Sequence, residues 1–254
     1  MQFSAMPVVR PRAMRFFFGL AVLMLAVVAV GFGPSLYLRW ILGRVDRFGP
    51  SLPPHLLAHG GVLTVWYVLF VVQTLLVRTG RRDMHRRLGV LGAAVSVAVV
   101  ASSMITMRLL VARLGTGGGQ LPPRVVFVVV SDFWVLVVFM VLVAAAVHFR
   151  RQPETHKRLM LLASVFLLGP ALAIGRPIGR TLMPLLPNGL LPSTVFTLLS
   201  IGTLICYDVA TKKRIEPATL WGSVVIGVAF AATRIMVFSA FGSAFARWLG
   251  GLGA

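Results

Sequence analysis

Acidic residues are scarce in this chain: six Asp and Glu stand against 25 Lys and Arg, a formal charge of +19. Charged residues of both signs make up only 12% of the sequence, well below the roughly 25% of a soluble domain. Little chain is left between the apolar runs, which excludes a separate soluble domain. With no basic domain to carry it, nucleic-acid binding is excluded as well. A single cysteine, Cys206, excludes a disulfide within the chain and leaves the redox compartment unread. Its place inside an apolar run predicts a small buried residue. No lysine lies inside a run: Lys157, Lys212 and Lys213 are all in turns, which excludes a retinal Schiff base. Walker, Rossmann and Gly-x-Ser-x-Gly patterns are missing, and Gly117-Gly118-Gly119 has no Lys-Ser/Thr after it, so it reads as a loop.

What the chain has is long apolar runs, at about 16–38, 56–77, 88–107, 125–147, 159–175, 189–207 and 220–243. Spanning a bilayer takes about 20 apolar residues. The expected fold is therefore all-α: a polytopic membrane protein of about seven transmembrane helices in one integral domain over 1–254. The first run follows Arg10, Arg12 and Arg15 but is longer than a signal-peptide core, so it reads as an uncleaved helix. Alternate connections carry 15 basic residues on one side and nine on the other. The positive-inside rule then places the N-terminus in the cytoplasm of a bacterial inner membrane. The outer connections are rich in Gly and Pro. Pro54 fits a helix first turn, and Gly169-Pro170 predicts a kink in the fifth helix.

Two short stretches match: Met84-His85-Arg86-Arg87-Leu88-Gly89 and Thr155-His156-Lys157-Arg158-Leu159-Met160, with their histidines 71 residues apart. Each follows an apolar run and a basic turn and opens another run. The match predicts a duplicated hairpin, helices 2–3 and 4–5, with a histidine at one depth in each copy. Trp66 and Trp134 sit in the outer halves of the first members.

The polar residues near the runs fall into two layers. The outer layer holds His55, His59, Arg108, Asp132, Arg176 and Arg234. Similar depth predicts an Asp132–Arg234 or Asp132–Arg108 ion pair, because an unpaired charge inside a membrane is costly. That pair is either a packing device or a polar pocket for an ion, proton or anionic ligand. The inner layer holds His85, His148, His156, Tyr207 and Asp208, with Gln73 somewhat deeper. His55 and His59, spaced i, i+4, share a helix face but lack the Glu of a zinc-protease motif. Haem b in a bundle needs two neutral imidazoles from different helices at one depth. His85 and His156 meet that requirement, His148 is the substitute, and His59 is an outer candidate with no histidine partner.

As a set, His59-Gly60, Trp66, Gln73, His85-Arg86-Arg87-Leu88-Gly89, His156-Lys157-Arg158-Leu159-Met160, Tyr207-Asp208 and Pro217-Ala218-Thr219-Leu220-Trp221-Gly222 resemble a family of bacterial seven-helix inner-membrane proteins of unassigned activity. Gly31-Phe32-Gly33-Pro34-Ser35 belongs to the same likeness. Glu216 departs from that family, which often has a histidine there. Over roughly 30 residues, His59-Gly60, Trp66 and His85 are similar to cytochrome b561 and ferric-reductase-like membrane domains, a resemblance that implies haem. Three functional readings follow. One is a haem b redox protein using His85, His156, His148 and His59, with a quinone or a redox subunit as partner. The second is a cofactor-free accessory, channel or transporter-like protein working through Asp132, Arg108 and Arg234. The third is a His-ligated membrane metal hydrolase.

Overall fold

A computed structural model describes residues 11–43, 51–114, 121–173, 175–187 and 190–251. Nine α-helices and no strand occur among them: α1 (Pro11–Phe32), α2 (Pro54–Arg78), α3 (Arg82–Leu114), α4 (Pro123–His148), α5 (Pro153–Phe166), α6 (Pro177–Leu182), α7 (Pro192–Lys212), α8 (Pro217–Val237) and α9 (Ala240–Leu249). Proline is the first residue of α2, α4, α5, α6, α7 and α8. Its missing N–H has no partner in a first turn anyway, and its fixed φ already suits a helix. Pro54 therefore does what the sequence predicts.

Among the described residues, six helices are long and apolar enough to cross a membrane: Arg15–Tyr37, Pro54–Arg78, Arg82–Leu114, Pro123–His148, Pro192–Lys212 and Pro217–Val237. This fits an all-α, multi-pass membrane protein. The expected run at 159–175 does not form one helix. α5 stops at Phe166 after 14 residues, and a 3-10 turn follows at Gly169–Leu172. Pro170 has no N–H to continue the ladder, and its ring disfavours helical backbone at Gly169. The expected run at 220–243 is also divided. α8 ends at Val237, Ser239 is extended, and α9 resumes from Ala240. Cys206, expected to be buried, is exposed on the outside of α7; in an apolar helix the bundle's periphery accepts the same residues as its core.

α5 is the inner helix of the bundle, with every side chain from Arg158 to Phe166 except Met160 buried. It packs on α4, α8, α1 and α7. Gly222 lets α8 come close, since a Cβ there would collide with the Leu162 side chain. The hairpins α2–α3 and α4–α5 meet mainly through large side chains. The Trp66 ring stands edge-on to Phe139 at 4.9 Å, and the Tyr67 hydroxyl donates to the Ser164 carbonyl at 2.9 Å.

The two ends of the bundle differ. At one, Phe16 stacks on Tyr207 at 4.1 Å, Lys157 lies over Phe17, Arg78 lies over Phe18, and Lys212 reaches Glu154 at 3.3 Å. At the other, Tyr37 bonds Thr64 at 2.6 Å, His59 meets Ser102 at 3.2 Å, and Arg176 bonds Ser35.

A charge cluster fixes the first turns of α5. Arg158 donates to Asp208 Oδ1 from Nη2 at 2.5 Å and from Nε at 3.0 Å, and both side chains are 0% exposed. Its Nη1 donates to the Glu154 carbonyl and to Glu154 Oε2, each at 2.8 Å. Asp208 Oδ2 accepts from the Thr219 hydroxyl at 2.5 Å and from the Glu216 N–H at 3.2 Å. Burial alone would raise the Glu154 carboxyl, but bonds from Lys157 and Arg158 outweigh it and hold it at about 2. One guanidinium and one carboxylate thus join α5 to α7 and to the start of α8.

Removing one partner of a buried pair leaves the other charge uncompensated, at a cost of about 3–5 kcal/mol. Asp208→Ala should therefore lower the thermal unfolding midpoint in detergent markedly, while Arg158→Leu with Asp208→Leu recovers most of the loss. A wild-type midpoint for Asp208→Ala would mean that the cluster carries no stability.

Candidate functional site

The structure brings the two matched histidines together. His85, on the first turn of α3, and His156, on the first turn of α5, stand with ring centres 6.3 Å apart and planes at 82°. His156 lies two residues before Arg158, so the charge cluster sets its height and direction. Its Nδ1 is 2.8 Å from the Ala146 carbonyl oxygen of α4. A carbonyl only accepts, so Nδ1 carries the hydrogen and Nε2 keeps a free lone pair. This is how a ligating histidine is usually oriented by its outer partner.

His85 sits against the Gln73 backbone. Its Nδ1 and the Gln73 Oε1 are both buried and both lack a hydrogen-bond partner. Trp66 Nε1 and Ser164 Oγ are in the same condition. The Trp66 ring and the Ser164 backbone are part of the contact between the hairpins, as is the His85–His156 pair. Buried polar atoms without partners are uncommon and each asks for an explanation, an absent ligand or water among them. Thr106 Oγ1, 21 residues along α3 from His85, is another, so of these atoms it is the His85 and Gln73 ones that lie at the histidine pair.

The remaining expected site residues lie elsewhere. His148, the substitute ligand, is exposed, and its ring contacts its neighbour Phe149 at 4.8 Å. His59 is near the opposite end of the α2–α3 hairpin on Ser102, which is 17 residues along α3 from His85, about 26 Å at 1.5 Å per residue. The expected ion pair of Asp132 is not formed. Asp132 is half-buried in α4, and among the described residues it pairs with neither Arg108 nor Arg234. Both arginines are exposed, and Arg234 turns to the Phe238 ring at 5.4 Å. Equal depth does not give equal direction around the helix, and a long arginine stem can carry its charge away from the bundle. No group of three or more His, Cys, Asp and Glu able to hold a metal ion occurs among the described residues.

Two partners escaped the sequence reading. Arg158 counted there only as a basic turn residue, yet it is fully buried. Its signal was Asp208, an acid inside an apolar run at matching depth. Gln73 was placed by depth, but its contact with His85 was not foreseen.

Set against family models, curated proteins and solved structures, the chain matches none of them.

The adjacency is testable without any cofactor. In a Cys206→Ser background, His85→Cys with His156→Cys should cross-link readily with a short bis-methanethiosulfonate reagent. His59→Cys with His156→Cys should not. Equal yields from both pairs would contradict the pairing of α3 with α5.

Proposed function

We propose that this protein is a haem b-binding membrane redox protein, with His85 and His156 as the axial ligands. The observation that carries the reading is the meeting of these two rings from α3 and α5. With ring centres 6.3 Å apart, the two imidazoles would both be able to hold one haem iron. The residues fit in three further ways. His156 Nδ1 is engaged by a carbonyl, which leaves Nε2 to bind. His85 Nδ1 and Gln73 Oε1, beside each other at the pair, are buried without partners. α3 packs chiefly on α2 and hardly on α5, so the two rings meet where their helices are not in tight contact.

Haem supplies one-electron transfer, its potential set by axial ligands, nearby hydrogen bonds and burial. The chain's own part is to hold and orient. Arg158 and Asp208 fix the α5 turn that presents His156, Ala146 sets its tautomer, and the α2–α3 hairpin presents His85. The histidine beside His59 is His55 on the same helix, not one from a second helix, so one centre at the His85–His156 end is the proposed complement. Its partner would be a quinone or an apposed redox subunit. The reading includes seven crossings, α5 and the following 3-10 turn forming the fifth. It also includes the duplicated hairpin and a bacterial inner membrane with the N-terminus and the histidine pair on the cytoplasmic side. Supporting that topology, α5 starts beside Lys212 at one end of the bundle, and the chain beyond it reaches Ser35 through Arg176 at the other.

Protein produced with ample haem should show a reduced-minus-oxidised spectrum with sharp α and β bands. His85→Ala and His156→Ala should each abolish it, and His148→Ala and His59→Ala should keep it. A featureless spectrum from the wild type, or an unchanged one from both axial variants, would end this reading.

A further inference from the structure

The expected 220–243 run is cut in two, and its second piece has a surface of its own. α8 has 21 residues, about 32 Å at 1.5 Å per residue, enough to cross the roughly 30 Å of a hydrocarbon core without help. The chain leaves the helix at Phe238, Ser239 is extended, and α9 begins a new ladder at Ala240. α9 then packs on α8, α4 and α3. Phe245 meets Phe133 of α4 at 4.9 Å, and Ala246 joins one buried cluster with Val125 and Val129 of α4 and Val111 of α3. Gly250, just past α9, closes on α3, where a Cβ would stand 2.4 Å from Val111 Cγ1. Val111 is in the last turn of α3, while His85 is in the first. The segment thus passes from the end of α8 over the start of α4 to the end of α3. It crosses these helices instead of prolonging α8, at the end of the bundle away from the histidine pair.

Helical spacing sorts this segment into three faces. Gly242, Ala246 and Gly250, at i, i+4 and i+8, are buried against the bundle. Phe241, Phe245 and Trp248, at i, i+4 and i+7, form an aromatic row, with successive ring centres 6.3 Å and 6.0 Å apart. Phe241 is 62% exposed and Trp248 70% exposed, so the row faces away from the protein. Ala240 and Ser243 are exposed on the third face, and at about 100° per residue Ser243 lies roughly opposite the row. The exposed apolar surface of α8 leads into the row through Ile235 and Phe238. An apolar patch of this kind marks a contact with a protein or a membrane. Its continuity with the exposed side of a crossing helix selects the membrane. Aromatic rings collect at the bilayer boundary, where a helix with one apolar and one polar face lies in the plane.

We infer that α9 is an interfacial helix whose Phe241–Phe245–Trp248 row enters the headgroup–acyl boundary of the bilayer, with Ser243 turned to water. The small residues on its packed face let it lie close over the ends of α3 and α4, and the aromatic row holds that end of the bundle at a fixed depth. The inference rests on the crossing by α8 and not on the haem reading, since α9 shares no residue with the histidine pair.

The test places single nitroxide labels on the full chain with Cys206→Ser, reconstituted in phosphatidylcholine vesicles. Power saturation compares collisions with oxygen, which collects in the bilayer, against those with a nickel chelate, which stays in water. Labels on Val224→Cys, exposed on α8, and on Arg214→Cys, exposed in the turn before it, set the lipid and water extremes. Phe241→Cys and Trp248→Cys should give an oxygen-to-nickel ratio severalfold above that of Ser243→Cys, which should approach Arg214→Cys. All three sites are exposed, so the labels leave the packed face intact. Equal ratios at the three sites, or a high ratio at Ser243→Cys alone, would overturn the inference. So would dipolar broadening at Phe241→Cys or Trp248→Cys, which would put a second copy of the chain on the row. A water-like ratio at Val224→Cys would instead refute the crossing by α8 on which the inference rests.

Discussion

A guanidinium and a carboxylate, both fully enclosed, hold the rest of this structure in register. Arg158 and Asp208 face each other where water is excluded, and neither can leave without stranding the other. Their satisfaction is thorough: Glu154 takes the remaining Arg158 nitrogen, and Thr219 and the Glu216 N–H take the second Asp208 oxygen. Such a pair is weak evidence for stability by itself, since a well-packed apolar pair of equal volume often does as well. Its value is geometric. It sets the rotation and height of a 14-residue helix too short to be fixed by a long apolar seam of its own. His156 is half a turn before Arg158, so whatever fixes the guanidinium also aims the imidazole.

Much of the architecture was legible because it follows from local chemistry. Proline opens α2 and five later helices, as Pro54 predicted for the first of them, and among the described residues six helices are long and apolar enough to cross a membrane where seven apolar runs were expected. The depth of His85 and His156 was readable from their place in matching stretches. What depth cannot supply is the azimuth of a side chain about its helix, and therein lies the difference between the two expected constellations. His85 and His156 turn toward each other. Asp132, Arg108 and Arg234, matched by depth in the same way, point apart. Arg158 was misread for a related reason: in a chain with 25 basic residues, one at a helix start looks like a topology signal. Only its acid partner inside an apolar run marked it as different. The broken fifth helix shows the opposite case, where Gly169-Pro170 gave the position of the interruption but an apolar run concealed its extent.

The molecule's two ends differ in chemistry. At one, a buried charge cluster supports a histidine pair beside unpartnered polar atoms. At the other, Gly31 lets the end of α1 close on the 3-10 turn, and Arg176 reaches Ser35. α5 and the turn after it join these regions, so the same short segment that presents His156 leads directly to Arg176. The middle of the bundle is apolar packing, including Trp66 on Phe139 and Phe166 on Phe230.

The central claim, one iron held between His85 and His156, is tested most directly by low-temperature electron paramagnetic resonance of the oxidised, haem-loaded protein. The account predicts a low-spin ferric signal, as would be given by two imidazoles holding one haem iron. A high-spin signal, or no haem signal from protein made with haem in excess, would contradict it.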